Sequence, residues 1–275
     1  VGGGARRGPP APLPMGVYDI IVFNRSFNDF SNIAFRGNSY ETLEAYARKV
    51  ETRVDKKTRV ETRTIISSPD ELAAATLEGF TVTEDMLGNY SQTTYGRTAP
   101  SRSSEETPDG LYHLHFVPKK LTREVSAVLH IEGLNNIRSA PCRLGGVAES
   151  IFLATGKTSA NTVTQEFTPS NPEFSPGSPF NGTLSCEFEI FGLNVIDNNN
   201  LHLDALLVDG KTEFEGDCTN VKITENDDGT GSITLILEAS TEKVPDVKPE
   251  GGAGSGFDVD VDGWGNEINT DIPIN

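Results

Sequence analysis

Asp258, Asp260 and Asp262 precede Gly263 in "FDVDVDGWG", the first half of a calcium loop in which alternate carboxylates converge on a hard cation. Such a loop also needs a bidentate Glu at its twelfth position, where this chain has Asn269, and a helix on each side, against which the preceding "GGAGSG" and Pro273 both argue. Read as a strand, the same letters turn Phe257, Val259 and Val261 inward and leave the three aspartates in water, so every residue is explained without a metal. Weak calcium binding by the three stays open. His113 and His115 flank Leu114, so a strand would put both imidazoles on one face, where they could share a metal, but no third ligand is identifiable.

The remaining chemistry is sparse. There is no GxSxG, HExxH or P-loop pattern, and "GGAGSG" has no strand leading into a helix to make it a phosphate cradle. Cys142, Cys186 and Cys218 are too few and too scattered for a disulfide framework or a zinc knuckle. At most one bridge forms, and the state of Cys142 and Cys218 is open. No catalytic residue, cofactor-binding residue or metal ligand is assigned, and the expectation is a protein without enzymatic turnover and without cofactors.

The elements that would position any site are strands. In "TLSCEFEIFGL", Leu184, Cys186, Phe188 and Ile190 share one face while Ser185, Glu187 and Glu189 share the other, the period of two of an extended chain. Cys186 then reads as a small buried hydrophobe. "VSAVLHIEGL" and "GSITLILEA" alternate in the same way, and "NVKITENDDGTGSITLIL" reads as a hairpin turning at Asp228 and Gly229. "GVYDIIVFN" is apolar on both faces except for Asp19 and suits a central, doubly covered strand. Helical signals are short: "SPDELAAA" offers Ser68 as a cap, Pro69 in the first turn and Glu71 for a capping box, and "TEDML" offers one turn.

A chain of 275 residues has room for two domains. A polar stretch from Gly88 to Gly110 has too little apolar content to pack, which places a junction near Pro108. The expected organisation is a disordered or non-native segment over 1–15, an N-terminal domain over 16–107 and a C-terminal domain over 108–275, all-β, with the long loops of a sandwich. The formal net charge of -17 repels phosphate backbones and argues against nucleic acid as a partner. No apolar run is long enough to cross a bilayer as a helix. The basic run "RVDKKTRVETR" could grip an acidic glycan or partner, but Lys on an edge strand also discourages unwanted pairing, and that reading is preferred.

Several segments, in order, resemble one family: "GVYDIIVFN", "NIAFRGNSYETLEAYA", "SSPDELAAATLEGFTVTEDML", "GLNNIRSAPCRLGGVAESIFLATGK" and "FDVDVDGWGNEI" look like the fimbrillin-like surface proteins of Bacteroidota, in particular a two-domain branch of fimbrial anchoring and accessory subunits. The resemblance implies two tandem transthyretin-like, Greek-key β-sandwiches, export as a lipoprotein, and a place on the outer membrane or in a pilus, with no catalytic residue to carry over. Members usually carry a lipidated cysteine and further strands ahead of the "GVYDIIVFN" region, where this sequence has a Gly/Pro-rich segment. The lipid anchor is therefore inferred, and the first sandwich is open to being incomplete. An incomplete sandwich would offer unpaired backbone to a strand of another fimbrial subunit. The expected function is a structural or adhesive subunit that contacts other subunits and a host or bacterial surface ligand. The alternative is a surface carbohydrate-binding or nutrient-capture module with an aromatic platform, for which Trp264, Tyr90 and Tyr95 are the candidates.

Overall fold

A computed structural model describes residues 13–54, 62–87, 104–106, 112–194, 199–227 and 233–249. The strands begin with β1 Gly16–Phe23, β2 Ile33–Arg36, β3 Glu44–Ala47, β4 Lys49–Val54, β5 Thr62–Ile66, β6 Ala73–Val82, β7 Ser104–Glu106, β8 Tyr112–Leu114, β9 Lys119–Lys120 and β10 Arg123–Glu132. They continue with β11 Ile137–Ser139, β12 Cys142–Ala148, β13 Ser150–Phe152, β14 Thr162–Phe167, β15 Asn171–Phe174, β16 Asn181–Ile190, β17 Leu201–Leu207, β18 Glu213–Asp217, β19 Thr219–Asp227 and β20 Ile233–Ser240. Among the described residues helical backbone is limited to three short 3-10 turns, one of them at Glu84–Leu87 where the sequence predicts a single turn. The protein is all-β.

Two sheets make the main sandwich. One has the order β15-β16-β10-β20-β19, with β10 parallel to β20 and antiparallel to β16. The other runs β11-β17-β12-β14-β5-β4, with β18 on the far edge of β17. The predicted alternation places their core: Val125, Ala127, Leu129 and Ile131 of β10 are buried, as are Leu184, Phe188 and Ile190 of β16 and Leu235 and Leu237 of β20. They meet Cys142, Leu144, Val163, Phe167, Leu201, Leu203 and Leu207 of the facing sheet in one cluster. Phe167 and Phe188 stack across the gap, ring centroids 4.3 Å apart, an aromatic contact that adds to the area removed from water. The expected hairpin is present as β19 and β20, its turn at 228–232 lying outside the described residues.

Smaller sheets, β1-β6-β9 and β13-β3-β2, enclose a Phe cluster in which Phe23 of β1 stacks on Phe35 of β2 at 5.4 Å. The junction expected near Pro108 lies outside the described residues. Strands from either side of it share three sheets: β9 pairs with β6, β13 with β3, and β14 runs parallel to β5. A cut at 108 would divide all three.

Two elements depart from the sequence reading. Residues 73–75 of the predicted helix at "SPDELAAA" are in β6 and its first residues are irregular. Tertiary partners outweigh the local propensity: Ser68 Oγ accepts the Glu189 N–H at 2.9 Å, Asp70 Oδ2 accepts the Asn32 N–H at 2.7 Å, and Leu72 is fully buried. The capping groups are thus spent on other segments. The second departure is β1, expected to be central and covered on both sides. Among the described residues it pairs with β6 alone, and none of its residues is buried. Asp19, the one polar interruption, sits at a bulge where its Oδ1 accepts the N–H of Gly79 at 2.8 Å, and Gly79 has φ +65°, a backbone that glycine adopts without strain.

Candidate functional site

The wet face of the β17–β18 hairpin gathers the densest set of metal-ligating groups among the described residues. Alternation builds it. Leu201, Leu203, Ala205 and Leu207 of β17 point into the core, so His202 and Asp204 must point out, and on β18 Glu213, Glu215 and Asp217 do the same. The turn fixes the register: Asp209 Oδ1 accepts the N–H groups of Lys211 and Thr212 at 3.0 and 2.8 Å, and Gly210 takes φ +69°. The Thr212 hydroxyl and these two N–H groups hold the Asp209 carboxyl below its usual range. With that register His202 lies opposite Asp217, and Asp204 opposite Glu215.

His202 Nδ1 lies 2.8 Å from Asp217 Oδ1; a carboxylate only accepts, so Nδ1 carries the proton. The other ring nitrogen, Nε2, stands 3.2 Å from Asp204 Oδ1. Arg143 of β12, the cross-strand neighbour of His202, places Nη2 2.5 Å from the second Asp204 oxygen, Oδ2. The donor atoms of His202, Asp204 and Glu215 all lie within 4.8 Å of one another. The sequence reading assigned nothing here. Its signal was two consecutive polar alternations, "HLD" and "EFEGD", joined by the turn "VDGKT".

The groups singled out from the sequence lie elsewhere. Asp258, Asp260, Asp262, Trp264, Tyr90 and Tyr95 are outside the described residues, as is the side chain of His113. His115 is exposed just beyond β8. Cys142, Cys186 and Cys218 are free thiols. Burial pushes the Cys142 thiol far up, and those of Cys186 and Cys218 each up to about 11, which suits packing and not nucleophilic attack. The basic run begins on β4, an edge strand of the large sheet, and its residues 55–61 are not described. Two clefts of about 180 and 210 Å³ fall short of the roughly 300 Å³ at which small-molecule pockets begin.

A second exposed feature is the outer edge of β1, which has no partner among the described residues. From Gly16 to Phe23 it has no Lys, Arg or Pro, and Met15, Val17 and Phe27 in and beside it are exposed.

Residues 5–168 match the model of a domain of unknown function, DUF5119. No curated protein matches the chain. Among solved structures, a "putative adhesin" from Bacteroides ovatus is similar at 16% identity and TM-score 0.47, with 74% of this chain and 65% of that one covered. A "putative adhesin" from Bacteroides thetaiotaomicron is similar at 14% identity and TM-score 0.36, covering 74% of this chain and 60% of that one. The chain spans less than two thirds of the length of these structures.

Proposed function

We propose a function on the premise that this chain belongs to the DUF5119 family, whose own role is unknown: it is a non-enzymatic structural or adhesive protein of the cell surface. Its finer place is that of an accessory or anchoring subunit of a fimbria, in the fimbrillin-like manner that its segments resemble. Export as a lipoprotein to the outer membrane belongs to the same reading.

One observation carries it. The outer edge of β1 has no partner among the described residues and carries no Lys, Arg or Pro to keep it from pairing; its one charge, Asp19, sits at a bulge and is engaged by the Gly79 N–H of β6. β4, the edge of the large sheet, has Lys49 and Arg53 instead. A strand of another subunit added to β1 would gain main-chain hydrogen bonds for affinity and contacts to alternate side chains for specificity.

The test is made in the bacterium that produces the protein. Surface proteolysis of intact cells and isolation of fimbriae should find the chain exposed and in the fimbrial fraction. Val17→Lys together with Ile20→Lys should leave the melting temperature within a few degrees of the parent and remove the chain from that fraction. Retention of the guarded variant in fimbriae sinks strand addition, and absence of the parent from the surface sinks the whole reading. A glycan array addresses the carbohydrate-capture alternative directly.

A further inference from the structure

We propose that His202, Asp204 and Glu215 form a binding site for a divalent transition-metal ion of the zinc class, on the exposed face of the β17–β18 hairpin. Four features of the cluster lead there. His202 is already oriented as a ligand: Asp217 Oδ1 accepts the hydrogen bond of Nδ1–H at 2.8 Å, which leaves the Nε2 lone pair turned toward Asp204. This is the carboxylate–histidine arrangement that fixes the tautomer and the ring of metal-bound imidazoles.

Asp204 is held in the same way. Its Oδ2 is engaged by Arg143 at 2.5 Å, while Oδ1, enclosed by protein, accepts no hydrogen bond from the described residues. Although Nε2 is 3.2 Å away, the contact does not meet hydrogen-bond geometry, so two lone-pair-bearing atoms face one another. Bonds of about 2.1 Å to a shared ion at angles between 90° and 110° put adjacent ligands roughly 3.0–3.4 Å apart. The observed separation lies within that range. The third donor, Glu215, lies directly across from Asp204. Like charges directly opposite on a sheet repel, and Glu215 has no hydrogen-bond or ion-pair partner among the described residues. A cation between the two carboxylates turns that repulsion into attraction. The Glu215 side chain is exposed, and its donor atom lies within 4.8 Å of those of His202 and Asp204.

The donor set selects the ion. One imidazole nitrogen with two carboxylate oxygens suits zinc, nickel, cobalt or iron, whereas calcium and magnesium take oxygen alone. Arg143 works against the site by adding positive charge, and for it by keeping Asp204 monodentate. Three protein donors leave a tetrahedral ion one position open toward solvent, where a side chain of another molecule could complete the shell. The inference stands independently of strand addition at β1.

The test uses the whole chain. Titration of the parent with Zn²⁺, followed by calorimetry, should show a site that His202→Gln and Glu215→Gln each weaken at least tenfold. Asp217→Asn should weaken it about tenfold, as removal of an outer carboxylate does, and Asp258→Asn should leave it unchanged. A second measurement needs no variant: Co²⁺ bound to the parent should shift the imidazole proton signals of His202 paramagnetically, and with four histidines in the chain the assignment is tractable. Zinc binding that His202→Gln leaves untouched overturns the proposal. So does a cobalt-shifted imidazole belonging to another histidine, or no binding at about 1 mM Zn²⁺, a concentration that fills a site whose Kd is roughly 100 µM.

Discussion

β10 and β1 are both long apolar strands, and only one of them is a core strand. β10 has β16 and β20 on its two sides and buries four side chains between sheets. β1 has β6 on one side, buries none, and leaves Val17 70% exposed. The difference teaches that apolar content measures what a strand can have covered and says nothing of what covers it. In β10 the alternation with Ser126, Val128 and His130 matches a sheet with one dry face. In β1 the run "IIVF" has no alternation at all, so it names no face. Among the described residues nothing pairs with its outer edge.

The largest test of the contrast is the loss of a side chain in each strand. Leu129→Ala in β10, at a position with 0% exposure, should lower the unfolding free energy by about 2–5 kcal/mol through lost transfer energy and a cavity. Val17→Ala in β1 should change it by less than about 0.5 kcal/mol in the isolated chain, as exposed positions do. Urea denaturation followed by fluorescence measures both. An equal effect at the two sites would mean that β1 is covered after all.

A glycine beside each strand sharpens the same point. A Cβ added at Gly182, on β16 next to β10, would stand 2.2 Å from the Glu173 carbonyl oxygen and 2.9 Å from Phe174 Cα. Backbone must move, so Gly182→Ala should destabilise by roughly 1–3 kcal/mol. At Gly79, on β6 next to β1, nothing lies within 4 Å and only the φ of +65° resists, so Gly79→Ala should cost about 1 kcal/mol. Thermal melts of the two variants should rank in that order. Asp19→Ala, which removes the acceptor of the Gly79 N–H, should cost a similar or smaller amount, about 0.5–1.5 kcal/mol.

The same pair of strands shows how far the sequence could be read. Strands with strict alternation, such as β10, β16 and β20, were legible in element and face, because a period of two states both, although Cys186, expected buried, and Ile233 are only half-buried. The "SPDELAAA" segment was not, since its helix signals are local and its actual partners, Glu189 and Asn32, are distant in sequence. The His202 cluster needed the register of two strands. Alternation in "LHLDALL" shows that His202 and Asp204 face one way, but only the Asp209–Gly210 turn decides that Glu215 lies opposite Asp204. A slip of one residue would have placed Phe214 or Gly216 there instead.

The smallest expected effect separates the two regions by pH. Glu44 of β3, in the small sheets beside β1, is buried enough for desolvation to raise its pKa. Hydrogen bonds from Arg36 and from Ser150, the latter at 2.7 Å, overcome this and hold the carboxyl below its usual range. A carboxyl whose folded value is depressed adds stability that is present above its unfolded value and is lost as pH falls through the folded one. Ser150 belongs to β13 and Arg36 to β2, so protonating Glu44 loosens the three strands β13, β3 and β2 together. Hydrogen exchange between pH 5 and pH 3 should therefore show amides of β2 and β3 losing protection ahead of those in β10, after correction for intrinsic rates. In Glu44→Gln, which cannot ionise, the gap between the two sheets should no longer vary with pH, and a gap that still widened in acid would assign the weakness to another group.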